Sequence, residues 1–72
     1  MSKLPIVSGR KVISILGKFG YREVRQRGSH IRLSCPDKKS VTVPNYKAVD
    51  VSLLRKILRD AELTPEQFID LL

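Results

Sequence analysis

The only histidine of this chain, His30, lies among the basic residues Arg25, Arg27 and Arg32. An imidazole can take or give a proton near neutral pH, and guanidinium groups can hold a phosphate. Because side chains alternate along a strand, we expect His30 and Arg32 on the polar face of their strand. Such a group can remove the proton of a ribose 2′-hydroxyl, which then attacks the adjacent phosphorus. These residues therefore favour RNA cleavage that needs no metal, with His30 as general acid or base.

Other chemistries find less support in the sequence. If the single imidazole takes the proton of the 2′-hydroxyl, another group must protonate the departing 5′-oxygen. Tyr46, a lysine or water would have to supply that proton. Ser29 and His30 are adjacent, and adjacent strand residues point to opposite faces, which argues against a nucleophile–base pair. One cysteine and one histidine are too few to predict a metal site. We therefore predict no metal and no cofactor.

Charge is distributed unevenly along the chain. The net charge is +7, and residues 1–47 hold eleven basic and two acidic side chains, whereas residues 48–72 hold three and five. A one-sided basic surface favours a polyanionic partner, since binding to phosphates releases condensed counterions. Solubilising surface charge is the alternative interpretation. The basic face of residues 54–59 could likewise contact phosphates or simply face solvent.

The sequence also bounds the location and size of the protein. No apolar stretch is long enough for a transmembrane helix, and the unpaired Cys35 fits a reducing compartment, so we expect a cytoplasmic protein without a membrane partner. Seventy-two residues leave room for one domain, which we expect to span residues 1–72.

Apolar periodicity predicts an α+β fold in the order α-β-β-β-α with a short C-terminal helix. The first helix is expected over residues 10–19, with Ser8 as N-cap, Gly20 as stop signal and a buried face of Val12, Ile13, Leu16 and Phe19. Strands are expected over residues 21–26, 29–35 and 40–43 as an antiparallel meander, the first two joined by a tight turn or bulge at Arg27-Gly28.

The inward side chains of the last two strands are predicted to be Ser29, Ile31, Leu33, Cys35, Val41 and Val43. A second helix is expected over residues 51–61, capped by Asp50 or Ser52, with Leu54, Ile57 and Leu58 buried. Thr64, Pro65 and Gln67 predict the start of the terminal helix through a capping box.

In this order and spacing, the motifs of the chain resemble those of the HicA family of toxins from toxin–antitoxin pairs. The resemblance runs nearly end to end and is carried by residues 8–11, residues 16–21, Gly28-Ser29-His30, Val43-Pro44, residues 54–59 and residues 64–68. The chain differs from the family at Tyr46, where a histidine is frequent, and at Ser52 and Glu62, where glycine is usual. We expect the last two differences to alter only helix ends.

The resemblance implies a fold like a double-stranded-RNA-binding domain, with the helices on one face of a three-stranded sheet. It implies a toxin of a type II pair that cleaves mRNA without a metal and is silenced by a HicB-like antitoxin. By this resemblance His30 is the catalytic residue, and Gly28 and Ser29 shape its turn. The predicted RNA-binding residues are Lys11, Arg25, Arg27, Gly28, Ser29 and Arg32, with Tyr46 as a possible auxiliary group.

Two rival functions remain open from the sequence. One is a non-catalytic RNA-binding module of the same fold, which would bind RNA without producing new ends. The other is a protein-interaction subunit whose basic face docks an acidic partner.

Overall fold

The computed structural model describes residues 3–72 of the chain. Its elements are α1 (Gly9–Lys18), β1 (Arg22–Arg27), β2 (His30–Ser34), β3 (Val41–Pro44), α2 (Val51–Asp60) and α3 (Pro65–Ile69). The three strands form one antiparallel sheet in the order β1-β2-β3. The predicted α+β class and order of elements are therefore confirmed. No helix within residues 3–72 has the length and apolar character needed to cross a bilayer.

Helix α1 begins and ends close to the predicted positions. The Ser8 hydroxyl accepts a hydrogen bond from the Lys11 backbone N–H at 3.1 Å, which caps the helix as predicted. Gly20 follows the helix with φ at 101°, a conformation that glycine adopts without a Cβ penalty. Ile13 and Phe19 pack against the core as predicted, although both are half-buried. Ile13 lies off the axis of the apolar stripe, and Phe19 is already past the last helical turn.

The turn between β1 and β2 consists of two residues, Gly28 and Ser29. Gly28 has φ at 59° and Ser29 has no positive φ, which is the sign pattern of a type II′ hairpin turn. The prediction of a turn at Arg27-Gly28 is therefore wrong by one residue, and Ser29 is an exposed turn residue instead of an inward strand residue. A two-residue turn makes Arg27 and His30 direct cross-strand partners.

Strand β1 contains a bulge that the sequence analysis did not predict. The cross-strand register shifts between Glu23 and Arg25, so that Val24 is the extra residue. All six residues of β1 are exposed, as expected of an edge strand that extends beyond the core. Arg10 of α1 contacts Glu23 from the core side at 3.4 Å.

The two faces of the sheet differ sharply in burial. The side chains of Ile31, Leu33, Val41 and Val43 are buried on one face, as predicted, and we call this face the inner face. Cys35 packs against the core as predicted, but it is half-buried and lies just past the end of β2, so the predicted end of this strand at residue 35 is wrong by one residue. We call the opposite face, which carries His30 and Arg32, the outer face.

The helices contribute to the same core as the inner face of the sheet. Val12, Ile15 and Leu16 of α1 join the inward side chains of the sheet in one buried cluster, together with Phe68 and the predicted Leu54, Ile57 and Leu58. The Asp50 carboxylate accepts a hydrogen bond from the Ser52 N–H at 3.0 Å, so Asp50 caps α2. Thr64 and Gln67 form the predicted capping box of α3. Helices thus cover one side of the sheet and leave the outer face open around His30.

Candidate active site

His30 is the first residue of β2 and its side chain is exposed. Its cross-strand partners are Arg27 in β1 and Pro44 in β3. Partners in an antiparallel sheet lie on the same face, so the His30 ring shares the outer face with both. The predicted polar-face position of His30 is therefore where the structure places it.

The two-residue turn determines which arginines of β1 share this face with His30. The cross-strand partner of Arg25 is Arg32, and that of Arg27 is His30. In a regular strand beginning at Arg22, residues 25 and 27 would point to the opposite face from Arg22, because side chains alternate. The extra residue at Val24 instead places Arg22, the partner of Ser34, on the same face as Arg25 and Arg27.

These side chains surround an open depression of about 660 Å³ on the outer face, which we call the arginine depression. Its lining residues are Val24, Arg25, Arg27, His30, Arg32, Ser34, Ser40 and Thr42. The sequence analysis identified the histidine and the three arginines but not the hydroxyl groups of Ser34, Ser40 and Thr42. Ser34 lies in β2, Thr42 in β3 and Ser40 just before β3, and only the β2–β3 register brings them to one place.

The arginines of the depression carry uncompensated charge. No salt bridge within residues 3–72 involves Arg25, Arg27 or Arg32. Arg32 donates from Nη1 to the Thr42 hydroxyl at 3.0 Å, which directs its guanidinium across the strand while its other N–H groups remain available. Three guanidinium groups without carboxylate partners produce a positive potential over the His30 ring.

Tyr46 lies beside His30 although it is not part of the sheet. The two ring centroids are 6.5 Å apart and the ring planes are inclined by 69°, an edge-to-face arrangement. The Asn45 N–H donates to the Ser29 carbonyl at 2.6 Å, and the Gly9 N–H donates to the Tyr46 carbonyl at 2.8 Å. The segment that carries Tyr46 is thus tied both to the β1–β2 turn and to the start of α1.

The two turn residues of the Gly-Ser-His motif position the histidine through the backbone. The Gly28 carbonyl accepts a hydrogen bond from Gln26 Nε2 at 3.1 Å. A Cβ on Gly28 would meet nothing within 4 Å, so its positive φ, and not crowding, is what favours glycine there. Neither Gly28 nor Ser29 lines the arginine depression.

Lys11 stands apart from this site. It is exposed in the first turn of α1, whose buried side chains pack with the inner face of the sheet. It lines neither of the cavities that include His30. The structure therefore does not bring Lys11 together with the other predicted RNA-binding residues.

A second cavity of about 340 Å³ adjoins the arginine depression, with His30 and Arg32 lining both. We call it the β3–α2 cavity. Its other lining residues are Thr42, Pro44, Tyr46, Leu53, Lys56, Ile57 and Asp60. The sequence analysis considered residues 54–59 only as a basic helix face and did not place Lys56 or Asp60 near His30.

Within residues 3–72, no cluster of three or more His, Cys, Asp or Glu side chains is arranged to hold a metal ion.

Comparison with known proteins identifies the family. The profile of the HicA toxin of bacterial toxin–antitoxin systems matches residues 9–63, which is most of the chain and extends from α1 to just beyond α2. The chain belongs to the HicA toxin family. Membership implies that it is the toxin of a toxin–antitoxin pair and has an antitoxin partner. A search of curated protein sequences found no match.

Proposed function

We propose that this toxin is an endoribonuclease that cleaves mRNA in the cytoplasm without a metal, with His30 as the general acid or base. The observation that carries the proposal is the arginine depression, where an exposed imidazole stands among three guanidinium groups that have no carboxylate partner within residues 3–72. Such a site suits a substrate that is an anion and whose reaction requires one proton transfer near neutral pH. A phosphodiester of RNA meets both requirements.

The proposed reaction uses the nucleophile that RNA carries. Arg25, Arg27 and Arg32 bind the non-bridging oxygens of one phosphate and stabilise the charge that develops there. His30 takes the proton of the neighbouring 2′-hydroxyl, a bond forms between O2′ and phosphorus, and the bond from phosphorus to O5′ breaks. The products are a 2′,3′-cyclic phosphate and a 5′-hydroxyl, whose proton comes from Tyr46 or from water.

We further propose that the antitoxin is a HicB-like protein that covers the same outer face. Guanidinium groups without partners attract carboxylates as well as phosphates. An acidic surface docked over Arg25 and Arg27 would exclude RNA from His30. Antitoxin and RNA should then compete for binding, and a ternary complex with full RNA affinity would contradict a shared face.

The test of the nuclease proposal is a His30→Ala variant. Because the ring is exposed, its removal should leave the fold intact, which circular dichroism and thermal unfolding can verify. We expect cleavage of single-stranded RNA to fall by about 10²–10⁴-fold, the usual contribution of one general acid or base, and growth inhibition to be lost. Lys18→Gln, which removes an exposed cation outside the depression, is the matched control and should cleave normally.

Three results would contradict the proposal. A folded His30→Ala protein that cleaves like the wild type would remove the histidine from the mechanism. Wild-type protein that binds RNA without ever producing new ends would instead favour the non-catalytic RNA-binding module. A chelator should leave the cleavage rate unchanged, and loss of cleavage would show that a metal takes part.

A further inference from the structure

The β3–α2 cavity differs in character from the arginine depression next to it. Its walls include Pro44 and Ile57, both buried, and Leu53, which is half-buried. The exposed Tyr46 ring lies at the same cavity, beside His30. Flat apolar and aromatic surfaces of this kind suit the face of a nucleobase, whereas phosphates prefer cationic groups.

Two charged side chains line the cavity from one face of α2. Lys56 and Asp60 are four residues apart, so they follow each other on the same side of the helix. Neither side chain forms a salt bridge or a hydrogen bond within residues 3–72, although this spacing commonly allows a pair. Asp60 is half-buried as a residue, and its carboxylate is open to the cavity, since no buried side-chain oxygen within residues 3–72 lacks a partner. Both groups are free to bind a ligand.

The chemistry of this pair restricts the ligand. An ionised carboxylate only accepts hydrogen bonds and an ammonium only donates them. A base that satisfies both must present N–H groups towards Asp60 and an acceptor towards Lys56. Guanine has two neighbouring N–H donors, N1–H and N2–H, which match the two oxygens of one carboxylate, and its O6 and N7 are acceptors for a lysine.

We propose that the β3–α2 cavity binds a guanine base of the RNA, in the nucleotide adjacent to the phosphate at which the strand is cleaved. In this arrangement Tyr46 stacks on the base, Asp60 accepts from N1–H and N2–H, and Lys56 donates to O6 or N7. The inference rests on the proposed function, because the sharing of His30 and Arg32 by the two cavities is what places the base next to the cleaved bond.

The proposal gives Tyr46 a role that does not depend on its hydroxyl. A stacking ring is preserved in Tyr46→Phe and lost in Tyr46→Ala, whereas a proton donor is lost in both. We expect Tyr46→Phe to retain base binding. Tyr46→Ala should weaken it by about 5- to 150-fold, the range for loss of one stacked base.

The direct test measures binding alone. Short uridine oligonucleotides with 2′-fluoro groups resist attack by their own sugar, and one position is varied between guanine, inosine, adenine and cytosine. Wild-type protein should bind the guanine oligonucleotide more tightly than the adenine and cytosine ones by about 5- to 150-fold, the range for one bidentate contact. Inosine lacks the N2 amino group, so the affinity for the inosine oligonucleotide should lie between that for guanine and those for adenine and cytosine.

Asp60→Asn should abolish the discrimination between guanine and inosine, because the amide has one acceptor oxygen and its NH₂ group would face the second N–H donor of guanine. Glu62→Gln, which removes an exposed carboxylate outside the cavity, is the matched control and should keep the preference. Equal affinity for all four oligonucleotides, or an unchanged preference in Asp60→Asn, would overturn the guanine site. Because binding is measured without cleavage, neither result affects the nuclease proposal, which the His30→Ala cleavage assay tests separately.

Discussion

At the scale of single residues, Gly9 is a position where only hydrogen fits. A Cβ there would overlap the carbonyl oxygen of Pro44 and crowd the backbone of Asn45. The Gly9 N–H also donates to the Tyr46 carbonyl, so the start of α1 supports the segment that holds the aromatic ring beside His30. Close packing at Gly9 thus connects the helix layer with the site on the other side of the sheet.

Replacing Gly9 with alanine should therefore destabilise the protein by about 1–3 kcal/mol, the usual effect of overpacking. Gly17→Ala in the same helix is the matched control, since a Cβ there meets nothing within 4 Å. That change should stabilise the fold by about 0.5–1 kcal/mol, because alanine loses less conformational freedom. Urea denaturation of both variants measures the difference, and similar free energies of unfolding would contradict the packing at Gly9.

Tyr21 is the residue whose ionisation should limit stability in alkali. Its ring is buried, its hydroxyl donates to the Lys39 carbonyl at 2.8 Å, and its pKa is raised. The main cause of the raised pKa is desolvation, and the negative charges of Cys35, Glu62 and Asp60 act in the same direction.

A raised pKa means that the folded state holds the proton more tightly than the unfolded state. The stability that the protonated Tyr21 hydroxyl contributes is complete below the pKa of about 10 in the unfolded state. It is lost as the pH rises through the pKa of the folded state. Tyr21→Phe should be less stable at neutral pH by about 0.5–1.5 kcal/mol, because the hydrogen bond is lost. Its stability should then decline less steeply than that of the wild type above pH ~10. Parallel pH profiles from denaturant titrations would contradict this assignment.

At the scale of elements, the Val24 bulge shows where the sequence is insufficient. The order of helices and strands follows from apolar periodicity and from caps such as Thr64 and Gln67. Nothing local distinguishes Val24 from an ordinary β-branched strand residue, so the bulge becomes visible only in the register with β2. The same holds for Lys56 and Asp60, whose proximity to His30 depends on how α2 packs beside β3.

The end of α2 carries a local strain at Glu62, where the sequence predicted only a change at the helix end. Glu62 follows the helix with φ at 60°, a left-handed conformation that costs a residue with a side chain about 1–2 kcal/mol. We expect Glu62→Gly to stabilise the protein by up to about 1 kcal/mol, since glycine adopts this conformation freely.

Glu62→Ala is the control for loss of the carboxylate, because alanine keeps the strained backbone. It should not reproduce the gain of the glycine variant. Thermal unfolding of the two variants separates strain from charge, and equal melting temperatures for both would contradict the strain at Glu62.

At the scale of the whole molecule, positive charge is concentrated where the helices leave the sheet uncovered. The arginine depression holds three of the fourteen basic residues and no acidic residue. RNA binding should accordingly weaken with salt, and each phosphate contact to a single strand should contribute about 0.7 to the log–log slope.

Arg25→Gln and Arg27→Gln should each reduce that slope by about 0.7, because each removes one phosphate contact. Lys18→Gln lies outside the depression and should leave the slope unchanged. Affinities of 2′-fluoro RNA between low and moderate salt provide the measurement. Equal slopes in all three variants would show that charge acts over the whole surface instead of in the depression.

In the proposed reaction the RNA supplies its own nucleophile, and an imidazole set among guanidinium groups activates it. The most direct measurement is cleavage by wild-type protein of an RNA oligonucleotide in which the nucleotide before the cleaved bond carries 2′-hydrogen in place of 2′-hydroxyl. The account predicts that this bond stays intact while the unmodified RNA yields a 2′,3′-cyclic phosphate. Cleavage at the modified bond at the normal rate would contradict it.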